Sequence, residues 1–197
     1  MTPVTLASGS WARGELLRAA GVKCDKLESG VDEAKAKSTL LASGANPAQI
    51  AVALADLKAL SVSRRTAGLV VGADQTLDVD GHLHDKTTTL EETRQRLVQL
   101  RGRSHRLHDA VSLARGGDVL WRDLTTVTLT MRDFSDVFLA DYLSKHGEAV
   151  ASSVGAYHFE AEGVQLFESI EGDYFAVLGL PMIPLLAALR AHDALPS

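Results

Sequence analysis

Cysteine is nearly absent: Cys24 is the only one in 197 residues. No internal disulfide can form, and a thiolate zinc cluster, which needs several cysteines, is excluded. A cytoplasmic location is the expectation that follows. No apolar run approaches the roughly 18–20 residues of a membrane span. Met1–Leu6 has no basic stretch leading into a long apolar one, so a signal peptide is not expected either. Aromatic residues make up only 5%, too few for the stacking platforms of a single-strand binder, and the formal charge of −5 disfavours a basic nucleic-acid surface. Basic residues are scarcest late in the chain. Residues 146–197 hold one, Arg190, against seven acidic ones, whereas residues 1–145 hold 19 basic and 18 acidic. An anion site is therefore expected to draw on the first part of the chain.

Hydrophobic residues at 46% and charged ones at 23% match an ordinary globular protein, and no repeat, linker or low-complexity segment interrupts them, so residues 1–197 read as one domain. Val4–Ala7 reads as a buried strand, followed by Ser8-Gly9-Ser10 and a helix over Trp11–Ala20 with Ser10 as its N-cap. Val22–Leu27 reads as a second strand and Gly30–Glu33 as a loop. Asn46-Pro47 opens a helix to about Arg65, with Ile50, Ala53, Leu54, Leu57 and Leu60 as its apolar face. Leu69–Gly72 is an apolar strand that continues through Val79 to the Asp80-Gly81 turn. A helix over Leu90–Leu100 follows, then a hairpin of Arg106–Ala114 and Val119–Met131. Ser135 caps a helix to about Lys145. Val154–Glu162 and Val164–Ile170 read as short strands, and Pro181–Ala191 as a last helix. This mixture of strands and helices predicts an α/β or α+β fold.

Several segments carry residue types suited to chemistry. Ser8, Ser10 and Arg13 flank a helix N-terminus, where free N–H groups, hydroxyls and a guanidinium suit phosphate, although any capped helix start shares part of this pattern. Asp74 follows an uninterrupted apolar strand, where a carboxylate can hold a divalent cation or polarise a water, or simply start a turn. Lys58 and Lys86 can neutralise phosphate, although most lysines are solvated surface groups. Asp32-Glu33 can reach a metal or remain a solvated loop. The stretch Ser153–Glu160 and the later Glu171–Tyr174 can form a second wall of a site or the polar face of an edge sheet. The histidines form no metalloprotease pattern; His82 and His84 alternate on a strand, but no third ligand is implied nearby. Cys24 reads as a packed core thiol. No nucleophile elbow, P-loop or dinucleotide fingerprint is present.

Taken in order, these segments resemble the Maf family of nucleoside triphosphate pyrophosphatases. The family's Leu-Ala-Ser-x-Ser-Pro-Arg-Arg-x-x-Leu-Leu opening is matched by Leu6-Ala7-Ser8-Gly9-Ser10-Trp11-Ala12-Arg13-Gly14-Glu15-Leu16-Leu17. Its Val-Asp-Glu loop is Val31-Asp32-Glu33, its Leu-Ala-x-x-Lys-Ala helix is Leu54–Ala59, and its Gly-Ala/Ser-Asp-Thr/Gln strand end is Gly72-Ala73-Asp74-Gln75. Gly155-Ala156-Tyr157, Gly172-Asp173-Tyr174 and Val177-Leu178-Gly179-Leu180-Pro181 match the late motifs. The resemblance runs from Leu6 to about Leu189. It implies an elongated, two-lobed mixed α/β fold like that of the inosine-triphosphate pyrophosphatases, with a central mixed sheet and a cleft between the lobes. It also implies hydrolysis between the α and β phosphates to a monophosphate and pyrophosphate, a divalent cation (Mg²⁺ or Mn²⁺) as cofactor, and a homodimer; charge, aromatic content and the lack of an apolar span leave neither a stable nucleic acid nor a membrane as an expected partner.

In that frame Asp74 is expected as general base and, with Glu33, on the metal. Lys58 and Lys86 are expected as catalytic cations. Ser8, Ser10 and Arg13 are expected on phosphate, Gln75 on a base edge or phosphate, and Glu160 on the base. The chain departs from the family pattern at Trp11-Ala12, where the family has Pro-Arg, at Thr87 for Pro, and at Ala161 for Gly. An absent arginine–phosphate contact costs about 1.5–3 kcal/mol. A weakly active or inactive nucleotide-binding regulator of cell division is the alternative reading. Gln75 resembles the branch acting on 7-methyl-GTP, and Ser153–Tyr157 the branch acting on dTTP and UTP, so the base stays open.

Overall fold

The computed structural model describes residues 1–151 and 153–196. The chain alternates β1 (Val4–Leu6), α1 (Trp11–Ala19), β2 (Cys24–Lys26), α2 (Glu33–Ala42), α3 (Pro47–Ser63), β3 (Leu69–Val79), β4 (His82–His84), α4 (Leu90–Leu100), β5 (Ser104–Arg115), β6 (Asp118–Met131), α5 (Asp136–Val150), β7 (Phe167–Glu171), α6 (Tyr174–Val177) and α7 (Met182–Ala191). The strands form one open mixed sheet of seven, in the order β2-β1-β3-β5-β6-β7, with β4 also on β3.

β3 is the axis of the molecule. β5 pairs with it antiparallel from Val70 to Asp78 along one edge. Its other edge carries β1, parallel, at Leu69–Val71 and then β4, antiparallel, at Leu77–Val79. Between those two partners, residues 72–76 have no strand on that edge. Main-chain groups of a strand need partners, and a side chain takes part of this role: Arg13 Nη1 donates to the Ala73 carbonyl at 3.1 Å.

Two large cores lie toward opposite ends of the long strands. One gathers Leu6, Leu17, Val71, Leu113 and Leu185 under α1 and α7. The other gathers Leu77, Leu97, Leu129, Phe134, Tyr142 and Tyr157 around α4 and α5. This is a mixed α/β arrangement, one of the two classes that the pattern of elements predicts, and the two cores correspond to the lobes that the resemblance implies.

α3 sits against the face of β3 that bears the even-numbered side chains. Asn46 and Gln49 form a reciprocal capping box at its start, ahead of Pro47. Its buried face is Ile50, Ala51, Leu54, Ala55, Lys58, Ala59 and Val62, whereas Leu57 is 41% exposed. The expected Ala53, Leu57 and Leu60 stripe is therefore rotated. The reason is close approach: a Cβ on Gly72 would lie 2.3 Å from the Ala55 carbonyl oxygen and 2.8 Å from the Ala59 Cβ. Small side chains, not large ones, face a strand at that distance.

Other differences have similar local causes. α2 occupies what reads as a loop onset in the sequence. Asp32 caps it by accepting from the Lys35 N–H, but it buries no residue, so no apolar period announces it. The expected strand over Val154–Glu162 is instead a chain of turns entering a short 3₁₀ segment, Glu162–Leu166. Ala156 there has a φ of 62°, which a continuing strand does not allow. Cys24 lies on the outer strand β2 and is only partly buried.

Candidate active site

The gap in the edge of β3 opens into a cavity of about 780 Å³, within the range of small-molecule sites. Ser8, Ser10, Arg13, Glu33, Lys58, Asp74, Gln75, Lys86 and Glu160 all line it. Residues separated by up to 152 positions thus meet in one place.

One wall is the β1–α1 junction. Ser10 caps α1 by accepting from the Arg13 N–H at 3.3 Å, and Ser8 Oγ accepts from the Ser10 N–H at 3.1 Å. The guanidinium of Arg13 is held at two of its nitrogens: Nε donates to the Gly179 carbonyl at 2.7 Å and Nη1 to the Ala73 carbonyl. Among the described residues no hydrogen bond engages Nη2. The free N–H groups of the first turn of α1 face an anion favourably at this junction.

The floor is built on α3 and β3. Lys58 is buried, and its ammonium reaches Asp74 Oδ1 at 2.7 Å and Glu33 Oε1 at 2.9 Å. Asp32 capping of α2 places Glu33 in its first turn, so the helix absent from the sequence reading is what delivers this carboxylate. Burial pushes the Asp74 carboxyl above its ordinary value, against the pull of Lys58 and Arg13 and with added repulsion from Glu33. Glu33 goes the other way: burial opposes its charge, but Lys58, Lys37 and Arg13 hold it below the ordinary value. Lost hydration and the nearby Arg13 depress the Lys86 ammonium, with Glu33 and Asp74 resisting.

Side chains alternate along β3, so Asp74 and Gln75 project to opposite faces. Asp74 meets Lys58 of α3. Gln75 meets Asp109, its direct cross-strand partner on β5. The Gln75 Nε2 donates to Asp109 Oδ1 at 3.0 Å and Oδ2 at 3.2 Å, and to the Ala176 and Val177 carbonyls at 3.0 and 3.3 Å. Its nitrogen faces acceptors only, which leaves Oε1, an acceptor, as what Gln75 can show a ligand. A phosphate needs donors, so this geometry favours a base edge over a phosphate for Gln75.

The opposite wall is Ser153–Glu160, the segment singled out as a second wall. Tyr157 anchors it by a 2.8 Å bond between its hydroxyl and His105 Nε2. A Cβ on Gly155 would lie 2.3 Å from the Tyr157 ring, which explains physically why glycine precedes that tyrosine by two. Glu160 stands exposed on this wall. The stretch Glu171–Tyr174 does not reach the cavity.

The lining holds four cations, Arg13, Lys37, Lys58 and Lys86, and four carboxylates, Glu28, Glu33, Asp74 and Glu160. Lys37 and Asp109 are absent from the sequence-based candidates. Lys37 lies on the helix that the sequence hides, and Asp109 is one more residue of an alternating strand until β3 is laid beside it. Trp11 is 71% exposed on the cavity's rim, so it does not fill the interior.

Glu33 and Asp74 converge on one ammonium, so their oxygens face a common centre. Among the described residues no group of three or more His, Cys, Asp or Glu side chains is placed to hold a metal. A pair of carboxylates completed by phosphate oxygens and water is nonetheless the usual magnesium donor set, so the residues fit such an ion. No helix among the described residues is long and apolar enough to cross a membrane.

A family model described as Maf-like protein matches residues 3–192. A protein of Caulobacter vibrioides named nucleoside triphosphate pyrophosphatase is 53% identical over 99% of this chain and 98% of its own length. One of Granulibacter bethesdensis with the same name is 47% identical over 96% and 97%. A 7-methyl-GTP pyrophosphatase of Rhizobium meliloti is 44% identical over 96% of both chains.

Proposed function

The chain belongs to the Maf family, and from that premise we propose that it hydrolyses a nucleoside triphosphate, canonical in its base or modified, to the monophosphate and pyrophosphate. One observation carries the reading: Lys58 holds Asp74 and Glu33 together at the open edge of β3, in the cavity that the α1 N-terminus and Arg13 also line.

The residues divide the work by their chemistry. Ser8, Ser10, the first-turn N–H groups of α1 and Arg13 bind phosphate oxygens as donors. Lys86 neutralises charge that builds on the leaving pyrophosphate. Asp74 accepts a proton from a water that attacks the α-phosphorus. The new P–O bond forms as the bond from that phosphorus to the bridging oxygen of the β-phosphate breaks, and pyrophosphate leaves with the electron pair. Burial makes Asp74 a stronger base than an exposed carboxylate, and the ammonium at 2.7 Å pulls the other way, toward the charged form. Glu33 and Asp74 would hold a Mg²⁺ or Mn²⁺ ion, which supplies charge neutralisation and polarisation of phosphate oxygens. Gln75 Oε1 and Glu160 are acceptors for N–H groups of the base. The name of the Rhizobium meliloti relative supports including methylated guanine among the bases. Family membership also leads us to propose a homodimer, which sedimentation equilibrium measures.

Pyrophosphate release across canonical and modified triphosphates, with Mg²⁺, Mn²⁺ or EDTA, tests the reading. Release from one or a few substrates, abolished by EDTA, is expected. D74N is expected to lose about 10²–10⁴-fold in turnover while still binding nucleotide. Turnover that persists in D74N removes Asp74 from the base role. Binding without release across the whole panel replaces the enzyme by the regulator.

A further inference from the structure

Lys37 is unaccounted for by the roles above. It sits four residues after Glu33 on α2, which places both side chains on one helix face. Both line the cavity, and Lys37 is among the charges that lower the Glu33 carboxyl. Its ammonium is not turned to a ligand, however: it lies 2.6 Å from Asp85 Oδ1. Asp85 immediately precedes Lys86 after β4, is 65% exposed, and is not part of the cavity's lining. The ion pair therefore joins α2 to the segment that carries Lys86, at the rim.

Charge balance makes this pair consequential. Lys58 is already matched by Asp74 and Glu33, which leaves Arg13 and Lys86 as the unmatched cations inside. A divalent ion on Glu33 and Asp74 would add two charges, and a fully ionised triphosphate still outweighs that ion together with Arg13 and Lys86 once the two carboxylates are counted. An exposed ion pair is weak in water, and a polyanion in the cavity competes for Lys37 on favourable terms.

We propose that Lys37 is a further phosphate-binding residue, held at the rim by Asp85 in the free protein and transferred to the phosphates when substrate enters. Asp85 is then a competitor for the same ammonium. The proposal rests on the hydrolase reading for its substrate, but not for its test.

A structural strap and a competitor predict different signs. If the pair only braces the rim, removing either partner weakens binding alike. If Asp85 competes, K37Q and D85N act oppositely. Equilibrium binding of inorganic pyrophosphate with Mg²⁺, by calorimetry on both variants and the unaltered protein, reads this without any turnover. K37Q is expected to weaken binding about 10-fold, the loss of one charged contact. D85N is expected to tighten it by roughly 2- to 5-fold, the strength of the pair removed. With a triphosphate that the unaltered protein hydrolyses, the same opposite changes are expected in KM. K37Q binding as well as the unaltered protein overturns the proposal, as does weakening in both variants. An unaltered protein that binds pyrophosphate but releases none from any triphosphate overturns the hydrolase reading instead, and the two signs in pyrophosphate binding still decide the role of Lys37.

Discussion

Asp109 has no exposed surface, and among the described residues only the Gln75 amide is bonded to its oxygens. Burial drives its carboxyl well above the ordinary carboxylate value, against the Gln75 bond and Arg13 and with repulsion from Asp74 and Asp173 added. Between the ordinary carboxylate value and its own raised one, the native chain therefore keeps a proton that the unfolded chain has released, and rising pH works against folding across that window. D109N has no such proton to hold. Urea midpoints taken from pH 5 to pH 8 are expected to fall in the unaltered protein relative to D109N. A gap that stays constant across that range contradicts a raised carboxyl at this position. Histidine follows the reverse rule. Burial lowers the His105 ring to about 4, so it stays neutral beside Tyr157, and its contribution to stability is lost as pH falls from about 6.5 toward that value.

At the scale of elements, the closest joint is α3 on β3. Ala55 and Ala59 face Gly72, and that approach brings Lys58 down onto Asp74, two residues further along the same face of the strand. G72A is expected to destabilise by about 1–3 kcal/mol or more, because backbone rather than a flexible side chain would have to give way. A denaturant titration checks the stability. Turnover at a temperature where the variant is still folded checks the coupling, and is expected to fall as well. A stable, fully active G72A refutes the tight joint. The elements themselves were unequally readable. α3, α4, β3 and the β5–β6 hairpin announce themselves by capping residues, apolar period and turn glycines. α2 and the turns over Ser153–Ala161 do not: α2 has no buried stripe, and the wall is shaped by Ala156 in a left-handed conformation and by Tyr157 packing on Gly155. Both hold cavity residues: α2 has no core side chain to bury, and the turns keep Ala156 and Tyr157 in the core while most of their other residues face the cavity.

For the whole molecule, the cavity lies between two cores that share one sheet. A ligand touching α1 on one side and Ser153–Glu160 on the other ties both to the native state. At 100 times its Kd such a ligand adds about 2.7 kcal/mol, which for a chain of this size raises Tm by roughly 5–10 °C. Pyrophosphate with Mg²⁺ is expected to give this shift in a thermal melt. No shift at saturating concentration argues against the cavity as the phosphate site.

The mixed α/β class, most of the elements (α2 and the turns over Ser153–Ala161 apart) and most of the charged candidates (Lys37 and Asp109 apart) follow from the sequence alone, because capping, hydrophobic period and turn chemistry act within a few residues of one another. Even the divergence of Asp74 and Gln75 to opposite faces is implicit in a strand's period of two. Three things belong to the tertiary structure. The bridging of Glu33 and Asp74 by Lys58 depends on how closely α3 packs on Gly72. The conversion of Gln75 into an acceptor depends on Asp109 arriving opposite it on β5. The retention of Lys37 at the rim depends on α2 facing the segment after β4. Each joins groups distant in sequence, and their distance and burial, which set which charge is matched and which remains for a ligand, come into being only when the sheet assembles.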